Sequence, residues 1–312
     1  MKSIILFLAL VFCGISSCKN KSAVVNSPEP NYIPYYLKVY EADSLHNVGE
    51  YKRSFEILDS LFANFKPLNQ ESYGEYLMYL RNKVLLSDFE KIDRVVQKAI
   101  QDFGYKPEYT LSDSLFSIAV KKAGFSARDL DGFYKSYSNK LNLEYRSALE
   151  KMIENDQRVR LAVPKNNDDF NKVDSENAEA IKALISRYGY PGIKKIGTYS
   201  YNERSCRVST LFLHATTKAR EAYILDLMME AVKKGECEPS DFAVVYDKYL
   251  MSKGTFGDRV LYGELRNPSK SIDEHLVDPR KIDSIRKSIG LENINYRMWK
   301  LGKYAEIESK VR

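Results

Sequence analysis

The large apolar side chains of this 312-residue chain recur every three or four residues over most of its length, and that spacing constrains its fold more than any other feature. Phe55, Leu58, Leu61, Phe62 and Phe65 fall on one face of a helix that turns every ~3.6 residues. Tyr73, Tyr76, Leu77, Leu80 and Val84 repeat the pattern, as do Phe89, Ile92, Val95, Val96 and Ile100. Val48-Gly49-Glu50-Tyr51 turns the chain before the first of these faces, Pro67 ends it, and Gly104 stops the last. Strand signals are few. The spacing predicts a mainly α protein: helical hairpins over 35–140, then a helical C-terminal domain over 141–312 with few short extended segments.

Within 105–140 the pattern loosens, with short helices expected around Leu115–Val120 and from Ser126. It sharpens again over 141–161, a long helix. Asp174 or Ser175 is expected to cap a helix running through Tyr188, with Gly189 as its stop. Residues 192–202 are turn-rich. Residues 208–234 are helical in period and end at Gly235, and Pro239-Ser240 opens a helix to about residue 252. Residues 253–265 read as loop or a short extended piece. Asp278-Pro279 opens a last helix with Ile282, Ile285 and Ile289 on one face.

The first eighteen residues are of another kind. Lys2 supplies a positive start, and residues 4–12 (IILFLALVF) are unbroken apolar sequence. A stable transmembrane helix needs about 20 apolar residues, so this run is too short to span. Basic start, short apolar core and small residues before a cut site read as a signal peptide over 1–17. Ile15-Ser16-Ser17-Cys18 resembles the lipobox of bacterial lipoproteins. The resemblance implies cleavage before Cys18 and lipid on its thiol, palmitate included, which would hold a folded body at a membrane of the cell envelope. Some surface-displayed lipoproteins carry an acidic pair after the lipidated Cys. Asn20 and Lys21 stand there instead, and periplasmic face and cell surface both remain open. Residues 18–34, polar and with two close prolines, read as the tether.

The net charge is +6, and no block of five like charges occurs, so nothing points to nucleic acid. Of four cysteines, Cys13 leaves with the leader and Cys18 takes lipid. Cys206 and Cys237 remain, either as a disulfide or as separate buried thiols. No phosphate-binding glycine motif is present and no cofactor is expected. His214 is the only histidine of the 141–265 block, whereas zinc wants three or four ligands, so no metal is expected. His46 and His275 read as surface residues.

Two further resemblances bear on function. The first hairpin, with Ala42 at a small-residue position and Gly49-Glu50-Tyr51 at the turn, resembles a tetratricopeptide repeat. A second turn at Ser87-Asp88-Phe89 follows after 38 residues, against a repeat of roughly 34. The resemblance implies a groove for a protein or peptide partner, and the alternative is a plain bundle packed on the rest of the chain. Across about 120 residues of the second half, an ordered set of motifs resembles an uncharacterised bacterial family common in lipoproteins. The set comprises Asp156-Gln157 with Arg160, Gly189-Tyr190-Pro191 with Ile196-Gly197, His214-Ala215, Asp247, and Tyr262-Gly263. Lys248, Val260 and Glu264 stand where the family has Arg, Gln and Thr.

These motifs supply the candidate site residues. His214 is a candidate general base, since an unperturbed imidazole titrates near ~6.5. Asp247 would orient it, and Arg160 or Tyr262 would stabilise developing charge. Asp156 and Arg160 are four apart on one helix face and read as an ion pair. No Ser or Cys nucleophile motif accompanies them. Two functions follow. The favoured one is a membrane-anchored interaction or structural module. The alternative is an envelope hydrolase with His214 as base and Asp247 orienting it.

Overall fold

The protein's structure, a computed structural model, describes residues 31–265 and 271–311, so Cys18, the leader and most of the tether lie outside the described residues. The chain is mainly α. Helices α1 (Ile33–Asn47) and α2 (Tyr51–Asn64) form a hairpin. They are followed by α3 (Glu75–Leu85), α4 (Ile92–Gln101), α5 (Pro107–Ser112), α6 (Ser114–Ala123) and α7 (Ala127–Ser138). The second half holds α8 (Leu143–Leu161), α9 (Asn167–Tyr188), the short α10 (Ile193–Ile196), α11 (Ser209–His214) and α12 (Thr217–Ala219). A π-helical turn, Arg220–Ile224, joins α12 to α13 (Leu225–Lys234). Then come α14 (Pro239–Lys253), α15 (Ile272–His275), α16 (Ile282–Ser288) and α17 (Ile294–Val311). The extended structure among the described residues is one parallel bridge between Val260 and Leu276.

Local chemistry sets the helix ends. Asp113 caps α6 by accepting from the Leu115 and Phe116 amides, and Ser126 and Asp129 form a reciprocal capping box on α7. Asn142 caps α8, accepting from the Tyr145 amide at 2.9 Å, while Pro239 opens α14. Gly189 ends α9 with φ of 77°, a left-handed value that favours glycine.

Two apolar cores result. The larger joins Tyr35, Tyr36, Val39 and Leu58 of the first hairpin to Tyr145 and Leu149 of α8, Ile181 of α9, Phe212 of α11 and Phe242 of α14. The smaller gathers Leu80, Val96, Ile100, Phe116 and Leu130 from α3, α4, α6 and α7. Each such side chain contributes ~1.5–3 kcal/mol by leaving water. The first hairpin therefore shares its core with the C-terminal half, across the 140/141 boundary that the sequence suggested, and α4–α7 pack around their own centre.

Three expectations change. Helix α9 starts at Asn167, capped by Asn166, and Asp174 and Ser175 lie inside it. Acidic Asp168 and Asp169 suit that earlier start, and Asp174 instead faces Arg160. The helix opened by 278–279 is not the last, because α17 follows it. An apolar stripe did not announce α17, since it docks largely through charge. Lys300 meets Asp43 of α1 at 2.7 Å, Tyr296 donates its hydroxyl to the same carboxylate, and Arg297 meets Glu264 at 2.8 Å. Finally His275 is buried, 2 % exposed, because the Val260–Leu276 bridge draws it inward, its Nε2 lying 2.7 Å from the Leu265 carbonyl oxygen. His46 is half-buried, with Nδ1 2.7 Å from Asn82 Oδ1.

One buried cation organises the irregular stretch after α10. Arg146 of α8 is 3 % exposed, and its guanidinium donates to five backbone carbonyls, those of Ile196, Thr198, Tyr199, Tyr201 and Arg204. Its Nε donates to Glu150 at 2.6 Å. Arg146→Met keeps comparable bulk but strands these acceptors and the Glu150 carboxylate, and removing one partner of a buried pair costs about 3–5 kcal/mol. Urea unfolding should show a loss of that size. A loss under ~1 kcal/mol would mean that water or rearranged loop backbone replaces the guanidinium.

Candidate functional site

The last turn of α8 places Asp156 and Arg160 on one face, and the structure brings His214, the last residue of α11, onto them. His214 Nδ1 lies 2.9 and 3.1 Å from the two Asp156 carboxylate oxygens. Arg160 Nε donates to Asp156 at 3.1 Å and also lies 2.9 Å from His214 Nδ1. A guanidinium always carries its protons and the carboxylate accepts only, so Nδ1–H donates to Asp156 and the Arg160 proton goes to the same carboxylate. Gln157 donates to Asp156 at 2.7 Å, and Arg160 Nη2 bridges onward to Asp174. Burial pushes the Asp156 carboxyl up, but His214 and Arg160 outweigh it and hold it below the usual range. At Asp174 burial prevails over Arg160 and the carboxyl is raised. His214 and Arg160 side chains are each 24 % exposed, and no hydroxyl or thiol hydrogen-bonds to His214 Nε2 among the described residues. The cluster is a surface-reaching network of ion pairs and hydrogen bonds with an oriented imidazole.

Asp247 and Tyr262 do not join it, which corrects the expectation that Asp247 orients His214. Asp247 is fully buried in α14, and both its oxygens are taken by backbone amides. Leu261 and Tyr262 donate at 2.9 Å each, Glu264 at 3.0 Å and Leu265 at 3.4 Å. Burial raises its carboxyl to about 6 against the pull of these amides. Its work is to fold the 260–265 loop. The Tyr262 ring packs against Phe242 and Tyr246, and its carbonyl accepts from Arg286. Arg286 is wholly buried and meets Glu264 at 3.0 Å, so the glutamate at the closing motif is half of a buried ion pair.

Cys206 and Cys237 are both buried free thiols, so the disulfide alternative does not hold. Burial raises the Cys206 thiol to about 11 and the Cys237 thiol well above its ordinary value. Both line a cavity of about 290 Å³ whose wall includes Tyr190, Pro191, Ile196 and Gly197 of the motif set but none of Asp156, Arg160, His214, Asp247 and Tyr262. Its wall is drawn from α1 (Tyr36), the loop before α3 (Leu68, Gln70), the 190–199 loop and the start of α14 (Glu238, Asp241). Gly192 allows the closest approach of these segments: a Cβ there would sit 2.8 Å from the Glu236 carbonyl oxygen.

Glu236, Glu238 and Asp241 line this cavity together with Lys140, Lys194 and Lys195, and Glu71 and Glu75 stand near Glu238 outside the lining. Glu238 accepts from Ser72, at 2.5 Å from the hydroxyl and 3.3 Å from the amide, and Tyr199 donates its hydroxyl to Asp241 at 2.8 Å. The Tyr199 amide donates to Glu71 at 2.7 Å, and the other Glu71 oxygen is buried with no partner among the described residues. Glu75, fully buried behind Gln70, accepts from Tyr35 at 2.8 Å and from the Gln70 amide at 2.7 Å. Burial raises the carboxyls of Glu71 to about 8, Glu75 to about 7, and Glu238 above its ordinary value. For Glu71 and Glu238 the neighbouring Asp241 adds to the shift. Sequence reasoning missed these residues. Glu238 and Asp241 sit where acids commonly open a helix, and Glu71 lies in an unpatterned loop, so no local signal set them apart.

The chain matches no family model, no curated protein and no solved structure. Among the described residues, no three His, Cys, Asp or Glu side chains come together in a way that could hold a metal ion, and no helix is long and apolar enough to cross a membrane.

Glu71 provides a direct check on the electrostatics beside the cavity acids Glu238 and Asp241. Its folded value of about 8 lies above the ordinary glutamate value, so the folded state holds the extra proton. That contribution to stability is fully present below the unfolded value and is lost as pH rises through the folded one. Glu71→Gln keeps an acceptor for the Tyr199 amide and removes the titration. The variant should gain thermal stability relative to wild type as pH rises from about 5 to about 9. Parallel profiles would show that Glu71 is not held protonated.

Proposed function

We propose that this protein is a lipid-anchored binding module of the cell envelope, which takes a small molecule in the cavity between its first hairpin and its C-terminal half. The observation that carries the reading is the cavity. Its volume of about 290 Å³ lies near the lower end of small-molecule sites, roughly 300–1,000 Å³. Its lining combines tyrosine and aliphatic surface with a few convergent polar groups, the composition that orients a ligand within apolar walls. The leader and Cys18 support anchoring, and residues 19–34 would let the folded body stand off the bilayer. The ordered motif set supports placement in the lipoprotein-rich family it resembles, with Asp156, Arg160, His214, Asp247 and Tyr262 serving mostly to build the fold.

The hydrolase reading keeps one point in its favour, the imidazole of His214 oriented by Asp156 rather than by Asp247. It lacks a nucleophile hydrogen-bonded to that imidazole among the described residues, and the cavity lies elsewhere. The binding module is the better-supported function.

Two measurements test the proposal. Cys18→Ser should move the mature protein from the detergent phase to the aqueous phase in detergent partitioning, and retention in the detergent phase would overturn anchoring through this residue. Native mass spectrometry of the full-length protein purified from membranes should show a bound small molecule. Ser209→Leu, which fills the cavity from its wall at a cost of about 1–3 kcal/mol, should lose that adduct while remaining folded. An adduct unchanged by Ser209→Leu, or none in either protein, would sink the cavity reading.

A further inference from the structure

Glu238 and Asp241 line the cavity, and Glu71 and Glu75 lie near them outside its lining. Among the described residues, none of Glu71, Glu75, Glu238 and Asp241 forms a salt bridge with a lysine, arginine or histidine. The three lysines at the cavity wall are committed to other oxygens. Lys140 donates to the Gln101 carbonyl and to Asp102, Lys194 to the Pro67 carbonyl and Lys195 to the Tyr190 carbonyl. A buried carboxylate without a partner is costly, and several near one another are costlier. A second and independent observation points the same way. Gln70 is 3 % exposed in the cavity wall, and its Oε1 is buried with no donor among the described residues. The buried second oxygen of Glu71 is likewise without one. Among the described residues, Gln70 Oε1 and the second Glu71 oxygen lack a hydrogen-bond donor, and Glu238 and Asp241 lack a cation at salt-bridge distance. An ammonium supplies both, with three N–H donors and no acceptor.

We propose that the cavity binds a small organic amine, whose ammonium is received by Glu238 and Asp241 and whose carbon body lies against Tyr36, Tyr190 and Val208. This deepens the binding-module reading and rests on it. The tyrosine surfaces suit such a ligand, because an alkylammonium is attracted to aromatic faces as well as to carboxylates. The lining acids Glu238 and Asp241 both come from the start of α14, and among the described residues no three His, Cys, Asp or Glu side chains approach a metal-binding arrangement. That layout suits a charge carried on an extended organic group better than a point charge. Ser72 and Tyr199 hold Glu238 and Asp241 in place before any ligand arrives, which lowers the ordering cost of binding.

The test is calorimetric titration of the detergent-solubilised full-length protein with n-butylamine, putrescine and cadaverine, alongside 1-butanol and butyrate as neutral and anionic probes of similar size. At least one amine should bind saturably and at least tenfold tighter than 1-butanol, with butyrate not binding. Asp241→Asn should weaken that amine at least tenfold while leaving 1-butanol unchanged. Tyr199→Phe keeps the ring and removes the hydroxyl that Asp241 accepts, so it should bind the amine as well as or better than wild type. A purely structural role for this pair predicts weaker binding instead. Binding of 1-butanol or butyrate in preference to every amine would overturn the amine assignment and leave the cavity reading intact. So would an amine affinity unaltered in a folded Asp241→Asn. If no probe binds, the amine assignment falls, and the Ser209→Leu adduct experiment decides the cavity reading separately.

Discussion

The guanidinium of Arg146 is the interaction on which the arrangement of this protein turns. Residues 197–204 form no long helix, so most of their carbonyls have no regular partner, and buried unpaired acceptors are costly. Arg146 collects five of them from one point on α8. That fixes where Tyr199 stands. Tyr199 in turn reaches Glu71 with its amide and Asp241 with its hydroxyl, linking the N-terminal loop to α14 across the cavity. The cavity is thus held open by a loop that is itself held by a buried charge on a neighbouring helix.

A second set of buried charges closes the molecule end to end. Arg286 and Arg297 meet Glu264 and Glu292, Tyr73 of the N-terminal region donates to Glu292 at 2.7 Å, and Lys300 meets Asp43. Buried ion pairs contribute little net stability when compared with apolar packing, but they specify which surfaces may meet. Here they seat α17 against α1 and the turn at Tyr73, and the 260–265 loop against α16. The first hairpin is consequently part of the C-terminal half's core rather than the start of a free-standing repeat array.

The helices could be read from the sequence because they depend on local facts: apolar residues at three- and four-residue steps, caps at Asp113, Ser126 and Asn142, and stops such as Gly189. The Asp156–Arg160 pair was equally visible, since four residues on a helix is a contact. What failed were inferences across space. Asp247 looked like a partner for His214, yet backbone amides fill both its oxygens, and Asp156 faces the imidazole instead. Helix α17 escaped notice because charge docks it, and charge leaves no periodic mark. Arg146 resembled any other basic residue on an amphipathic helix until its surroundings were known.

Sequence alone determined that this chain is mainly a succession of helices, because helix propensity and capping are properties of consecutive residues. The tertiary structure decided which polar residues share a site. It separated His214 from Asp247, kept Cys206 and Cys237 as free thiols, and placed Glu238 and Asp241 on one cavity wall with Glu71 nearby. The physical reason is that burial and charge pairing depend on the distance between segments far apart in the chain. Glu71, an ordinary loop acid in the sequence, becomes a strongly perturbed group only when packing removes water from around it.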